Sequence, residues 1–166
     1  RHPDYEQYDA TQVRDEREQA AYEKGLQYVG LDGYVGIIAN GAGLAMSTLD
    51  VVNQVGGEAA NFLDIGGGAN ADVMSGALEI INNDPRVKAI FINVFGGILR
   101  CDVFAEGVVA AAKEVGLSVP LVVRMEGTNV ERGKEILKAS GLAIESAADM
   151  AEGAKLAVAA AKRASK

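Results

Sequence analysis

Four short segments carry residue types from which an anion site can be built without a basic surface. They are Asn40-Gly41-Ala42-Gly43, Gly66-Gly67-Gly68-Ala69-Asn70, Phe95-Gly96-Gly97-Ile98-Leu99-Arg100 and Glu126-Gly127-Thr128-Asn129. Glycine lets backbone amides approach a ligand with no Cβ in the way, and the first turn of a following helix offers unpaired N–H groups and a partial positive charge. One such segment reads more simply as a tight turn after a strand, because turns favour glycine. Four of them on one edge of one sheet make a cradle for a phosphoryl group or a carboxylate. The third segment weighs most, because it adds the guanidinium of Arg100 to the amides of Gly96, Gly97 and Ile98.

The elements that must carry these segments are legible as five apolar runs, Tyr34 to Ala39, Ala60 to Ile65, Val87 to Val94, Pro120 to Met125 and Leu142 to Ile144. Their starts lie 26, 27, 33 and 22 residues apart, the length of a strand, a crossover helix and two short loops, so the strands are expected to be parallel. Between them, Leu44, Val51, Val52 and Val55, and then Phe104, Val108, Ala111 and Val115, recur at helical spacing. Ser146 with Asp149, and Thr128 with Glu131, fit capping boxes at helix starts. Continuous apolar stretches such as Ala89-Ile90-Phe91-Ile92 imply a sheet covered on both faces. The fold class expected is therefore α/β, a flavodoxin-like, doubly wound, five-stranded parallel sheet over residues 31–166. In such a sheet ligands bind outside the carboxyl ends of the strands, where all four glycine segments should lie.

Composition narrows the function classes. The 166 residues have a formal charge of -7, with 49% hydrophobic and 23% charged residues, which suits one packed domain and opposes non-specific binding to nucleic acid or anionic membranes. Residues 1–30 form a polar lead-in or linker, in which Glu16 to Tyr28 has helix-forming composition but a weak apolar stripe. The chain opens on Arg1 with no initiator Met, as expected of a piece of something longer. No apolar run reaches the roughly 20 residues of a membrane-spanning helix. Cys101 is the single cysteine and His2 the single histidine, so neither an internal disulfide nor a Cys/His zinc site is expected. A lone thiol fits a reducing compartment, the cytoplasm or the mitochondrial matrix.

Three standard sites fail on their residues. Met46 stands where a dinucleotide fingerprint needs its third small residue, although Gly41, Gly43 and Asp64 fit the rest. Gly36 and Gly41 have Walker A spacing but are followed by Ala42 and Gly43 in place of Lys and Ser or Thr. The acidic cluster of a receiver domain is missing at Asn40 and at Val94-Phe95. Among single residues, Cys101 at a helix start beside Arg100 reads as a packing residue, with an activated thiol as the alternative. Asn40 either holds a carboxylate through its amide or caps its turn. Asp64 and Asp102 are expected to accept loop or helix-start amides and not to act as acid and base.

Four ordered blocks also resemble a known family. Asn40-Gly-Ala-Gly-Leu-Ala-Met46, Ala60-Asn-Phe-Leu-Asp-Ile-Gly-Gly-Gly-Ala69, Asn93-Val-Phe-Gly-Gly-Ile-Leu-Arg-Cys-Asp102 and Pro120-Leu-Val-Val-Arg-Met-Glu-Gly-Thr-Asn129 are similar to the C-terminal domain of succinyl-CoA synthetase β subunits. The resemblance runs from about residue 12 to the end. It implies an acid–CoA ligase that turns succinate, CoA and a nucleoside triphosphate into succinyl-CoA, nucleoside diphosphate and phosphate, working through a phosphohistidine on a partner α subunit. No catalytic residue is then expected in this chain. The family's ATP-grasp domain, which holds ATP or GTP and Mg2+, has no counterpart in these residues, so the isolated piece is expected to be inactive and to carry no cofactor or metal. Carried over position by position, the carboxylate site falls on Asn40, Gly97, Ile98 and Leu99, where the family commonly has valine at the last. The helix N-terminus that faces the phosphohistidine falls on Gly96, Arg100, Cys101 and Asp102. A malate–CoA ligase and a non-catalytic interaction module are the alternatives.

Overall fold

Alternate residues of the run Ala89 to Val94 face opposite sides of a sheet, and all but Asn93 are apolar, so the strand demands helices on both faces. A computed structural model, which describes residues 27–65, 71–117 and 119–164, meets that demand. The elements run β1 (Gln27–Gly30), β2 (Val35–Ala39), α1 (Ala42–Gln54), β3 (Asn61–Asp64), α2 (Ala71–Asn82) and β4 (Ala89–Arg100). They continue with α3 (Cys101–Val115), β5 (Leu121–Thr128), α4 (Val130–Ala139), β6 (Ile144–Ala147) and α5 (Met150–Ala164).

Ile90, Ile92 and Val94 join Ile38, Leu63, Leu121 and Val123 in a core covered by α2, α3 and α4 through Met74, Leu78, Phe104, Val108 and Leu137. Phe91 and Ala89 join Val35, Ile37 and Val122 beneath α1 and α5, which contribute Val52, Ala157, Val158 and Ala161. Each fully buried Ile, Leu or Phe side chain in these layers contributes about 1.5–3 kcal/mol. The α5–β4 packing is so close that a Cβ at Gly153 would collide with the ring of Phe91.

The sheet order is β1-β3-β2-β4-β5-β6. Its five parallel strands follow the flavodoxin order, as expected from their spacing. The expected strand count is corrected from five to six, because β1 pairs antiparallel with β3 at the sheet edge. β1 has four residues, of which Tyr28 is buried and Val29 is half exposed, and so short an edge strand leaves no apolar run to read. Residues 27–30 thus belong to the sheet and not to a lead-in helix. The ladder between β2 and β3 is short, and the buried Asn61 side chain extends it by bonding both the N–H and the C=O of Ile37 at 3.3 and 2.9 Å.

Two further expectations shift. The last strand is Ile144–Ala147 and not Leu142 to Ile144. The helix caps also differ from those expected at Ser146 and Thr128. Asp149 accepts the Glu152 N–H at 2.8 Å while Glu152 accepts that of Ala148 at 2.9 Å, so the side-chain cap sits at Asp149, three residues further on. At α4 the cap is Asn129, in the left-handed region at φ 61, with no side-chain cap bond.

Candidate functional site

β2 and β4 lie side by side, yet the chain leaves β2 for a helix on one face and β4 for a helix on the other. At such a switch point the two connections diverge and open a crevice at the carboxyl ends of the strands. Asn40 directly follows β2, and Arg100 closes β4. The first and third glycine segments therefore flank the crevice, and Glu126 to Asn129 leaves the same edge at the end of β5. The second segment, Gly66 to Asn70, lies outside the described residues.

The third segment is not a free loop. β4 pairs with β5 as far as Phe95 opposite Glu126, and pairing resumes with Arg100 opposite Thr128. Gly96, Gly97, Ile98 and Leu99 thus stand opposite Gly127 alone, and the surplus backbone forms a bulge at the rim. α3 starts immediately afterwards, with Arg100 as its N-cap in an extended conformation and no side-chain cap bond. Its first-turn N–H groups are those that a helix N-terminus offers to an anion.

The side chains around that helix start divide the work. Arg100 is 62% exposed and its guanidinium pairs with Asp102 at 3.2 Å. Burial alone would raise the Asp102 carboxyl, but the Asn129 side chain, the Val103 N–H and Arg100 outweigh it and hold the group below the ordinary aspartate range. Asp102 thus behaves as expected, a helix-start acceptor that stays ionised. Cys101 is fully buried, and its thiol is pushed up by burial and then by the charges of Asp102 and Glu126. The activated-thiol alternative is corrected on both counts. Anything Cys101 offers a ligand comes from its backbone. Gly133 of α4 explains the tight seating, since a Cβ there would approach the Cys101 carbonyl oxygen to 2.7 Å.

In the first segment Gly41 is the N-cap of α1 at φ 126, a conformation that excludes most side chains. Its N–H donates to Asp64 at 2.8 Å, the amide-accepting role expected of that residue. Asn40 is half-buried beside it.

A polar layer not anticipated from the sequence underlies the rim. Asp64, Ala39, Asn93, Arg124 and Ala147 are register partners in one rung across five parallel strands. Arg124 donates to the Asn93 side-chain oxygen at 3.1 Å, and the Asn93 nitrogen donates to Thr48 at 2.8 Å. Thr48 in turn donates to the Leu44 carbonyl at 2.7 Å. Asn93 and Thr48 are fully buried, and the Arg124 side chain is 12% exposed and pairs with Glu126 at 3.1 Å. The sequence carries a trace of it, because Asn93 and Arg124 are the polar interruptions of the apolar runs Ala89 to Val94 and Leu121 to Met125.

Among the described residues no group of three or more His, Cys, Asp or Glu side chains could hold a metal ion, and no helix is long and apolar enough to cross a membrane. The family profile described as CoA-ligase matches residues 38–163, which takes in the glycine segments from Asn40 to Asn129. The chain belongs to the CoA-ligase family. Within it, a succinate–CoA ligase [ADP-forming] subunit beta from Staphylococcus saprophyticus is 57% identical over 155 residues, covering 93% of this chain and 40% of that protein. The protein of the same name from Anaeromyxobacter dehalogenans is 56% identical over 164 residues, covering 99% of this chain and 42% of its own. This CoA-ligase chain thus spans about two-fifths of the length of the curated relatives it matches. Among solved structures, an ATP citrate lyase from Methanosaeta concilii aligns with a TM-score of 0.66 at 21% identity over 84% of this chain and 41% of that one. A dinucleotide-forming acetyl-coenzyme A synthetase from Ca. Korarchaeum cryptofilum aligns at 0.62 and 23% identity, covering 82% and 35%. These two share the fold.

Proposed function

We propose that this chain is the part of a succinate–CoA ligase β subunit that orients the carboxylate substrate and docks the α subunit. The observation that carries the reading is the pairing, across one switch point, of the Asn40-Gly41 turn with the Gly96–Leu99 bulge that leads straight into the N-terminus of α3. The names borne by relatives at 55–57% identity support the substrate and the subunit. Succinate is held by Asn40 and by backbone at Gly97, Ile98 and Leu99. The α3 N-terminus, from Gly96 through Arg100, Cys101 and Asp102, faces a phosphohistidine of the partner.

Amide hydrogens aimed at one point suit both halves of such a transfer. As the phosphoryl group leaves the histidine nitrogen and bonds to a substrate carboxylate oxygen, negative charge spreads over oxygens that N–H donors stabilise. Displacement of phosphate by the CoA thiol then completes the acyl-CoA. Arg100 contributes a cation partly neutralised by Asp102, so the backbone supplies most of the attraction, which suits an acidic chain. Nucleotide and Mg2+ are assigned to another part of the full-length subunit.

The test has two arms. Mixed with a matching α subunit, this chain is expected to elute as a complex, while calorimetric titration with ATP or GTP shows no tight binding. In the full-length enzyme, Arg100→Ala is expected to slow succinyl-CoA formation about tenfold, the loss of one charge-assisted contact. Tight nucleotide binding by this chain alone, or an Arg100→Ala enzyme of undiminished rate, contradicts the reading.

A further inference from the structure

The geometry points to Thr48, Asn93 and Arg124 as positioning residues for the carboxylate site, a relay that sets the Asn40-Gly41 turn against the Gly96–Leu99 bulge. This inference rests on the functional reading above and deepens it. The direction of every hydrogen bond in the relay is fixed by chemistry. A guanidinium only donates, so the Asn93 oxygen must face Arg124 and its nitrogen must face Thr48. The Thr48 hydroxyl, having accepted from Asn93, sends its own proton to the Leu44 carbonyl in the first turn of α1. Donors thus run one way from β5, through β4, to the turn of α1 that follows Asn40 and Gly41. Asp64 grips the same turn from β3 at 2.8 Å.

Packing alone does not call for this rung. On the same face of the sheet, Ile37, Phe91 and Val122 are apolar and fully or almost fully buried, and an apolar residue at each relay position would avoid the cost of desolvating a guanidinium. In β4 and β5 the polar residues of this face, Asn93 and Arg124, stand in the rung that borders the rim, where directional bonds admit one arrangement and apolar contacts admit several. Thr48 also touches the sulfur of Met150 at 3.9 Å, so the start of α5 is tied into the same point. A displacement of about 1 Å between substrate-holding groups costs up to roughly a hundredfold in rate or affinity, which makes such a relay consequential without any contact to substrate.

The experiment uses the full-length β subunit assembled with its α subunit. Thr48→Val keeps the shape and removes the hydroxyl, Thr48→Ser restores it, and Arg124→Gln keeps a donor for Asn93 but removes the charge. The relay predicts a carboxylate KM raised roughly tenfold in Thr48→Val, a smaller rise in Arg124→Gln, near wild-type values in Thr48→Ser, and unchanged KM for nucleotide. Circular dichroism and gel filtration confirm that each variant folds and assembles. A lower unfolding midpoint with an unchanged carboxylate KM in both Thr48→Val and Arg124→Gln would show a merely structural rung and overturn the inference. A wild-type assembly that fails to ligate carboxylates overturns the functional reading, and this inference with it.

Discussion

The carboxylate of Asp64, last residue of β3, accepts the N–H of Gly41 at 2.8 Å, fastening the entrance of α1 to a strand 23 residues further along the chain. The bond satisfies one helix-start donor that has no side-chain cap of its own.

Removing that acceptor should therefore cost more than an exposed contact. Asp64→Ala is expected to lower unfolding free energy by about 1–3 kcal/mol, and Asp64→Asn, which keeps an acceptor oxygen, by less. Urea denaturation of both variants measures the difference, and equal stability of all three proteins would remove Asp64 from the account.

The seat of α3 makes a second prediction. A methyl at position 133 meets the Cys101 carbonyl oxygen at 2.7 Å, a backbone atom that cannot swing aside. Gly133→Ala is expected to destabilise by about 1–3 kcal/mol, the usual cost of overpacking, despite alanine's better helix propensity. If the variant is more stable than wild type, α3 and α4 are not packed as described.

The fold was more legible than the site's foundations. Four crossovers could be counted because each parallel strand is a buried apolar run and each return needs a helix of its own. β1 was missed because its four residues expose Val29 and gain their order only by pairing with β3. The rim segments announced themselves through glycine, a local signal. Thr48, Asn93 and Arg124 gave no such local signal, because they are 45 and 31 residues apart, Asn93 meeting Arg124 through sheet register and Thr48 through the packing of α1 on the sheet. The cap at Asp149 was placed three residues early because the Ser146 and Asp149 pair has the same spacing as the one that forms.

Burial of Cys101 sets a chemical expectation. With its folded pKa raised, the thiol adds stability that is fully present below the pKa of an unfolded cysteine and is lost as pH rises toward the folded value. Wild type should therefore lose stability on the alkaline side faster than Cys101→Ala. Native protein should also react with a disulfide reagent at neutral pH far more slowly than urea-unfolded protein. Rapid stoichiometric labelling of the native chain would contradict the burial of the sulfur.

Asp102 has the opposite sign. Its folded carboxyl lies below the ordinary range, so its contribution is fully present above the unfolded pKa and is lost as pH falls through the folded one. Asp102→Asn should flatten the acid limb of the stability profile while leaving the neutral-to-alkaline limb parallel to wild type. An acid limb as steep as before would mean that other carboxylates carry it.

The prolonged β4 has a practical corollary for anyone wishing to move this rim elsewhere. Its bulge holds its shape because the tail of β5, from Glu126 to Thr128, braces it from alongside. Transplanting Gly96 to Arg100 into a foreign scaffold would carry the letters without the splint, so the portable unit is the two strand ends together.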